Sequence, residues 1–160
     1  QHGFTIGAAA LKPRSRGAIK LRSKDPLEPP VIQPNYCSDE AGEDIRVLIE
    51  GIRRARQIVA TAEFASLAGA EITPGADVKS NEDLAAYVRQ NAQTYFHPVG
   101  TCKMGEDEMA VVDSQLRVRG VERLRVVDAS VMPAIPRANT NAATIMIAER
   151  AADLITSSAL

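Results

Sequence analysis

The sequence predicts an α+β fold, an antiparallel or mixed sheet with helices packed against it. Three observations carry that expectation. A short run near the N-terminus alternates with a period of two, two central stretches repeat apolar residues at helical spacing, and a set of short strand-like runs leads into an apolar helix at the C-terminal end.

The first element expected is a β-hairpin. Phe4–Ala10 is small and apolar, Lys12-Pro13-Arg14-Ser15-Arg16-Gly17 supplies a turn, and Ala18-Ile19-Lys20-Leu21-Arg22 alternates as a half-buried strand does. The basic residues Lys12, Arg14, Arg16, Lys20, Arg22 and Lys24 are the solvated side of this hairpin. The run from Asp25 to Tyr36 contains four of the nine prolines. It is expected to be an extended connection anchored by Val31 and Ile32, because proline amides cannot join a ladder.

From about Ser38 or Asp39 the period changes. Ile45, Leu48, Ile49, Ile52, Ala55, Val59 and Ala62 fall on one helical face, with acidic residues in the first turns and Arg53, Arg54 and Arg56 later, as the helix dipole favours. Gly69–Ser80, with Pro74-Gly75, is a loop. Ser80-Asn81-Glu82-Asp83 has the form of a capping box opening a short helix buried through Leu84, Tyr87 and Val88. Short strands and turns follow a mobile-looking acidic run, Glu106-Asp107-Glu108, and end with Leu124–Asp128. The Met132–Pro136 stretch must turn irregularly. From near Asn141 the chain forms a helix whose residues are apolar or small on every side as far as Ala148, which describes a buried helix.

Composition narrows the function. With 45% hydrophobic and 24% charged residues the 160-residue chain is an ordinary globular protein, and its net charge of −1 offers no attraction to nucleic acid or an anionic membrane. Cys37 and Cys102 suit free thiols in a reducing compartment, as in a cytoplasmic enzyme or one peripheral to the inner membrane. With His2 and His97 as the only histidines, zinc is not expected, and no apolar run reaches bilayer-spanning length. The opening Gln-His-Gly lacks a start methionine, so the chain is read as a piece of something longer.

One stretch stands out for chemistry: Thr94–Gly105, TYFHPVGTCKMG. Pro98 restrains His97 towards extended backbone, Gly100 allows a close turn, and an imidazole can take or return a proton near neutral pH. Taken alone, a histidine in a globular chain is more often a satisfied structural or surface residue than a catalytic one. Asp128, at the end of a strand-like run before the small Ala129 and Ser130, either faces a ligand or caps a turn. Asn139 and Asn141, at a helix start, are cap residues by type.

Taken together, Tyr95–Gly105, Arg125–Pro133 and Asn139–Glu149 resemble the C-terminal region of glucose-methanol-choline (GMC) oxidoreductases, and the similarity extends over Leu11–Leu154. The resemblance is strongest to bacterial enzymes acting on primary aliphatic alcohols, with choline dehydrogenases next. It implies an FAD enzyme that oxidises an alcohol by hydride transfer to flavin N5. His97 matches the family's active-site histidine, and Asn141 its second substrate-oxygen ligand. Phe96, Asp128, Ala129, Asn141 and Ala142 match positions beside the cofactor. Residues 1–120 would then be the substrate-binding and catalytic region, and residues 121–160 a return segment whose helix belongs to the FAD-binding domain. No GxGxxG follows a strand here, so the N-terminal Rossmann portion of the same enzyme is an implied partner. Arg137 stands where smaller residues are common in the family and either touches an anionic substrate or points to solvent. The competing reading is a stand-alone remnant that binds a partner and does no chemistry.

Overall fold

A computed structural model describes residues 3–157. His2 lies outside the described residues. The chain forms two compact units, Gln1–Tyr95 and Phe96–Leu160, each with its own core.

In the first unit, β1 (Ala18–Lys20) and β2 (Val31–Gln33) form a two-stranded antiparallel sheet with Ile19 opposite Ile32. The expected hairpin between Phe4–Ala10 and Ala18–Arg22 is therefore corrected. The Pro-rich connection, not the N-terminal segment, supplies the second strand, and Ile32 is exposed, not an anchor. The physical reason lies in competition for backbone donors. The amides of Arg14 and Ser15 bind the carboxylate of Asp44, at 2.7 and 2.9 Å, so the chain preceding β1 is tied to a helix and cannot ladder. Val31–Gln33 is a proline-free interval between Pro30 and Pro34, with every amide available. Phe4 packs its ring against Phe64, 5.8 Å between centroids.

Helix α1 (Glu43–Val59) starts later than the periodicity suggests. Gly42 is left-handed at φ 65°, which breaks the helical path, and the Asp39 carboxylate reaches forward to accept the Glu43 amide at 2.6 Å. The short α2 (Ala62–Ala65) follows. In α3 (Asn81–Asn91), Ser80 Oγ accepts the Asp83 amide at 3.0 Å, the cap the sequence predicts. Ile45 and Ile49 of α1 meet Leu84 and Val88 of α3 in a small core, with Tyr87 against it. Arg53 donates to Asn81 Oδ1 at 2.6 Å across the same pair of helices.

The second unit contains a single long helix, α4 (Asn141–Ser157), and a 3-10 turn over Ala129–Val131. The strands expected between Met109 and Asp128 are reduced to isolated bridges: Met104 with Val112, Val112 with Val118, and Arg117 with Arg125. The described sheet is thus two-stranded. The acidic run is pinned, because Asp107 accepts both the Lys103 ammonium, at 2.8 Å, and the Met109 amide. The core joins Val112, Leu116, Val131, Met132, Ile147 and Ala151. This corrects the expectation of a helix buried all round. Only Ile147 and Ala151 of α4 are buried, while Ile145 and Met146 remain 56% and 60% exposed. One unit of this size has too little material to cover both faces of an apolar helix.

Candidate active site

Every residue singled out for chemistry falls in the second unit: Phe96, His97, Asp128, Ala129, Asn141 and Ala142. Their placement follows from how the TYFHPVGTCKMG loop is held. Phe96 takes a left-handed conformation, φ 60°, unusual for a residue with a Cβ. Pro98 follows His97, so the half-buried imidazole sits between two backbone restraints.

Beyond it the loop is stitched to the Ser130–Met132 segment. The Cys102 amide donates to Ser130 O at 3.0 Å and the Met104 amide to Val131 O at 2.8 Å. Gly100, at φ 87°, passes so close that a Cβ there would lie 3.3 Å from Met132 O. A side chain at this position would meet both a strained backbone angle and a carbonyl.

Ser130–Met132 is in turn positioned by Asp128, whose carboxylate accepts the Ser130 amide at 2.7 Å and so caps the 3-10 turn. Of the two roles open to Asp128, capping is thus filled; its side chain is exposed. Val131 is fully buried and Met132 nearly so, both in the cluster that holds Ile147 of α4. The His97 loop, the Asp128 turn and α4 therefore share one core.

Asn141 is the first residue of α4, and Thr140 before it is buried. Thr140 O accepts both the amide and the hydroxyl of Thr144, at 2.9 Å each. The Asn141 side chain is exposed and makes no hydrogen bond among the described residues, so it is not spent on capping. The amides of Asn141, Ala142 and Ala143 precede the first intrahelical acceptor pair and carry the positive end of the dipole. Ala142 is exposed and Ala129 half-buried, both small enough to admit a flat ligand. Arg137 is exposed.

The remaining reactive side chains fit supporting roles. Burial, then the charges of Asp44 and Asp39, push the Cys37 thiol up, with Arg89 opposing, so it is not a ready thiolate. Among the described residues no group of three His, Cys, Asp or Glu side chains could hold a metal ion, and no helix is long and apolar enough to cross a membrane. What sequence reasoning missed is the stitching of Val99–Gly105 to Ser130–Met132; Gly100 was its one visible sign.

The GMC oxidoreductase C-terminal family model matches residues 13–148. The chain is 48% identical to an alcohol dehydrogenase [acceptor] of Pseudomonas putida, covering 96% of this chain and 28% of that protein. It is 50% identical to an oxygen-dependent choline dehydrogenase of Ectopseudomonas mendocina, covering 97% and 27%. Among solved structures it is similar to a fungal aryl-alcohol oxidase, with a TM-score of 0.82 and 37% identity over 92% of this chain and 24% of that one. The chain thus spans less than a third of the length of the curated relatives it matches.

Proposed function

This chain belongs to the GMC oxidoreductase family, and from that premise we propose that it is the catalytic C-terminal portion of an FAD-dependent enzyme oxidising a primary aliphatic alcohol to its aldehyde. The observation that carries the proposal is the shared core of the second unit, which fixes the His97 loop and the start of α4 together. Residues 1–120 serve the substrate side, and residues 121–160 return to the FAD-binding domain. The rest of that domain, with its dinucleotide fold, comes from the N-terminal part of the enzyme. The exposed Ile145 and Met146 support this division, since an apolar helix face needs a cover.

The residues present suit a flavin. Phe96, Asp128, Ala129, Asn141 and Ala142 would lie beside it, and the unpaired amides at the start of α4 favour negative charge on a reduced ring. Bound FAD supplies the hydride acceptor.

The chain's own residues handle the oxygen. Loss of the hydroxyl proton places negative charge on the alcohol oxygen, that charge drives hydride from the carbon as the carbonyl forms, and groups that hold the oxygen through this step lower the barrier selectively. His97 takes the hydroxyl proton. Asn141 donates an amide N–H to the same oxygen and holds the substrate carbon in line. The restraints on His97 from Phe96 and Pro98 keep the imidazole aimed before substrate arrives.

The test is stopped-flow flavin reduction in a full-length enzyme carrying His97→Ala. Reduction slows by at least about a hundredfold while FAD stays bound, in line with the usual contribution of a general base. Reduction at the wild-type rate refutes the assignment. A second reading, choline as the alcohol, is favoured by the likeness to choline dehydrogenases. Comparing kcat/KM for choline and for a straight-chain primary alcohol decides between them. Flavin binding without reduction by any alcohol would support the non-catalytic alternative.

A further inference from the structure

The start of α4 holds a polar group that the proposed alcohol oxidation does not use. Thr140, immediately before the helix, is only 9% exposed, and its carbonyl is occupied by the amide and hydroxyl of Thr144, at 2.9 Å each. Its own hydroxyl makes no hydrogen bond among the described residues. The threonines within α4 differ: the hydroxyls of Thr144 and Thr156 each donate to a carbonyl one turn back. Thr140 precedes the helix and has no helical turn behind it.

Nor does the hydroxyl cap. A threonine before a helix ordinarily accepts a first-turn amide. Ser80 does so for α3 and the Asp39 carboxylate for α1, and both helices carry acids in their first turns, Glu82 and Asp83 in one and Glu43 and Asp44 in the other. The first turn of α4 contains no acid, and the amides of Asn141, Ala142 and Ala143 have no acceptor among the described residues.

Burial makes the free hydroxyl informative. A polar group enclosed in protein without a partner is destabilising, and among the described residues no wholly occluded side-chain oxygen or nitrogen lacks one. The Thr140 oxygen is therefore the point at which an otherwise enclosed residue reaches the surface, at the same helix end as the three free amides. Three donors are fixed by the helix, and the fourth sits on a β-branched side chain with few rotamers. With no carboxylate beside them, they suit negative charge spread over neighbouring atoms. A reduced flavin carries such charge along its N1–C2 carbonyl edge. The alcohol oxygen is a single atom already served by His97 and Asn141. Building on the flavoenzyme reading above, we propose that Thr140 is a further cofactor-binding residue, its hydroxyl donating to the N1–C2 carbonyl edge of the flavin in a bond that strengthens as the ring becomes anionic.

The experiment measures the flavin midpoint potential of the full-length, FAD-loaded enzyme by equilibration with a reference dye, and its affinity for sulfite. Sulfite adds through its lone pair to N5 of the oxidised flavin and leaves the same edge anionic with no alcohol present. Thr140→Val removes the hydroxyl and keeps the β-branched shape, Thr140→Ala removes it without the third carbon, and Thr140→Ser retains it. In both hydroxyl-free variants the reduced form loses about tenfold in stability, the worth of one hydrogen bond to a charged acceptor, so the two-electron potential falls by about 30 mV. Sulfite binding weakens by about the same factor of ten. Thr140→Ser stays close to wild type. An unchanged potential and sulfite affinity in Thr140→Val and Thr140→Ala overturn the proposal, whatever happens to their melting temperatures. So does a raised KM for alcohol with both flavin readouts unchanged, which moves the hydroxyl to the substrate. A full-length wild-type protein that holds no FAD overturns the flavoenzyme reading and this one with it. FAD that is bound and reduced by alcohol, with a potential indifferent to Thr140, overturns this one alone.

Discussion

Replacing Asp44 by Asn tests how the first unit holds its N-terminal segment. Asp44 is 5% exposed and accepts three hydrogen bonds from a segment about thirty residues away: the Arg14 amide at 2.7 Å, the Ser15 amide at 2.9 Å and the Ser15 hydroxyl at 2.5 Å. Asparagine keeps one acceptor oxygen and turns the other position into a donor. The Ser15 oxygen already accepts the Ser38 and Asp39 amides, so the remaining carbonyl oxygen stays with the Ser15 amide and hydroxyl, and the new N–H faces the Arg14 N–H. One charge-assisted bond is lost and its donor is orphaned, a loss of about 2 kcal/mol. For a small domain this lowers the urea midpoint by about 1 M at neutral pH.

The pH dependence sharpens the test. Burial, the largest influence, opposes ionisation of Asp44, but the Ser15 hydroxyl, the two amides and the nearby Arg16 charge outweigh it and hold the carboxyl below its usual range. With the folded pKa depressed, the unfolded chain takes up the proton first as pH falls. The stabilisation is therefore complete above the ordinary aspartate pKa of about 3.9 and is lost as pH drops through the lower folded value. Asp107 and Asp113, also depressed, are common to both proteins and cancel in the difference, whereas Glu43, which the Asp44 charge pushes up, is held lower still once that charge is gone. The gap between wild type and Asp44→Asn, followed by circular dichroism in urea, should be full at pH 7 and close in acid. Equal midpoints at pH 7, or a gap that does not narrow, would falsify the account.

Other positions give further tests. Gly100→Ala places a Cβ 3.3 Å from Met132 O at φ 87°, costing roughly 1–3 kcal/mol; a variant as stable as wild type in thermal melts would show that the loop can move aside. In a full-length enzyme Asn141→Ala slows flavin reduction less than His97→Ala does; if it changes only the melting temperature, Asn141 is a structural residue. Ser80→Ala removes the α3 cap and costs about 1 kcal/mol, measured by urea unfolding, and leaves flavin reduction in the full-length enzyme unchanged.

The helices were legible because their signals are local. The Ser80 cap needs four residues, and the α1 face repeats within seven. The exact start of α1 was less so, since Asp39 caps from a position set by the left-handed Gly42. Strand pairing was misread for a different reason. Whether Ala18–Lys20 joins residues before or after it depends on which amides are already taken, and Asp44, about thirty residues on, decides that for Arg14 and Ser15. No window along the chain contains that competition.

The candidate site lies between these cases. Its residues were visible as motifs, yet the motifs alone left Asp128 and Asn141 each with two roles. For Asp128 the geometry fills the capping role, through the Ser130 amide. For Asn141 it leaves capping unfilled, because Thr140 and not Asn141 accepts from the first turn and the amide side chain stays exposed. Two polar residues of similar cap propensity are thus separated by what their neighbours satisfy. The same reasoning applies to α4 as a whole. Its uniform apolarity reads as burial, yet in this chain Ile145 and Met146 face outwards. An apolar surface retained opposite an already packed face is material for a second layer.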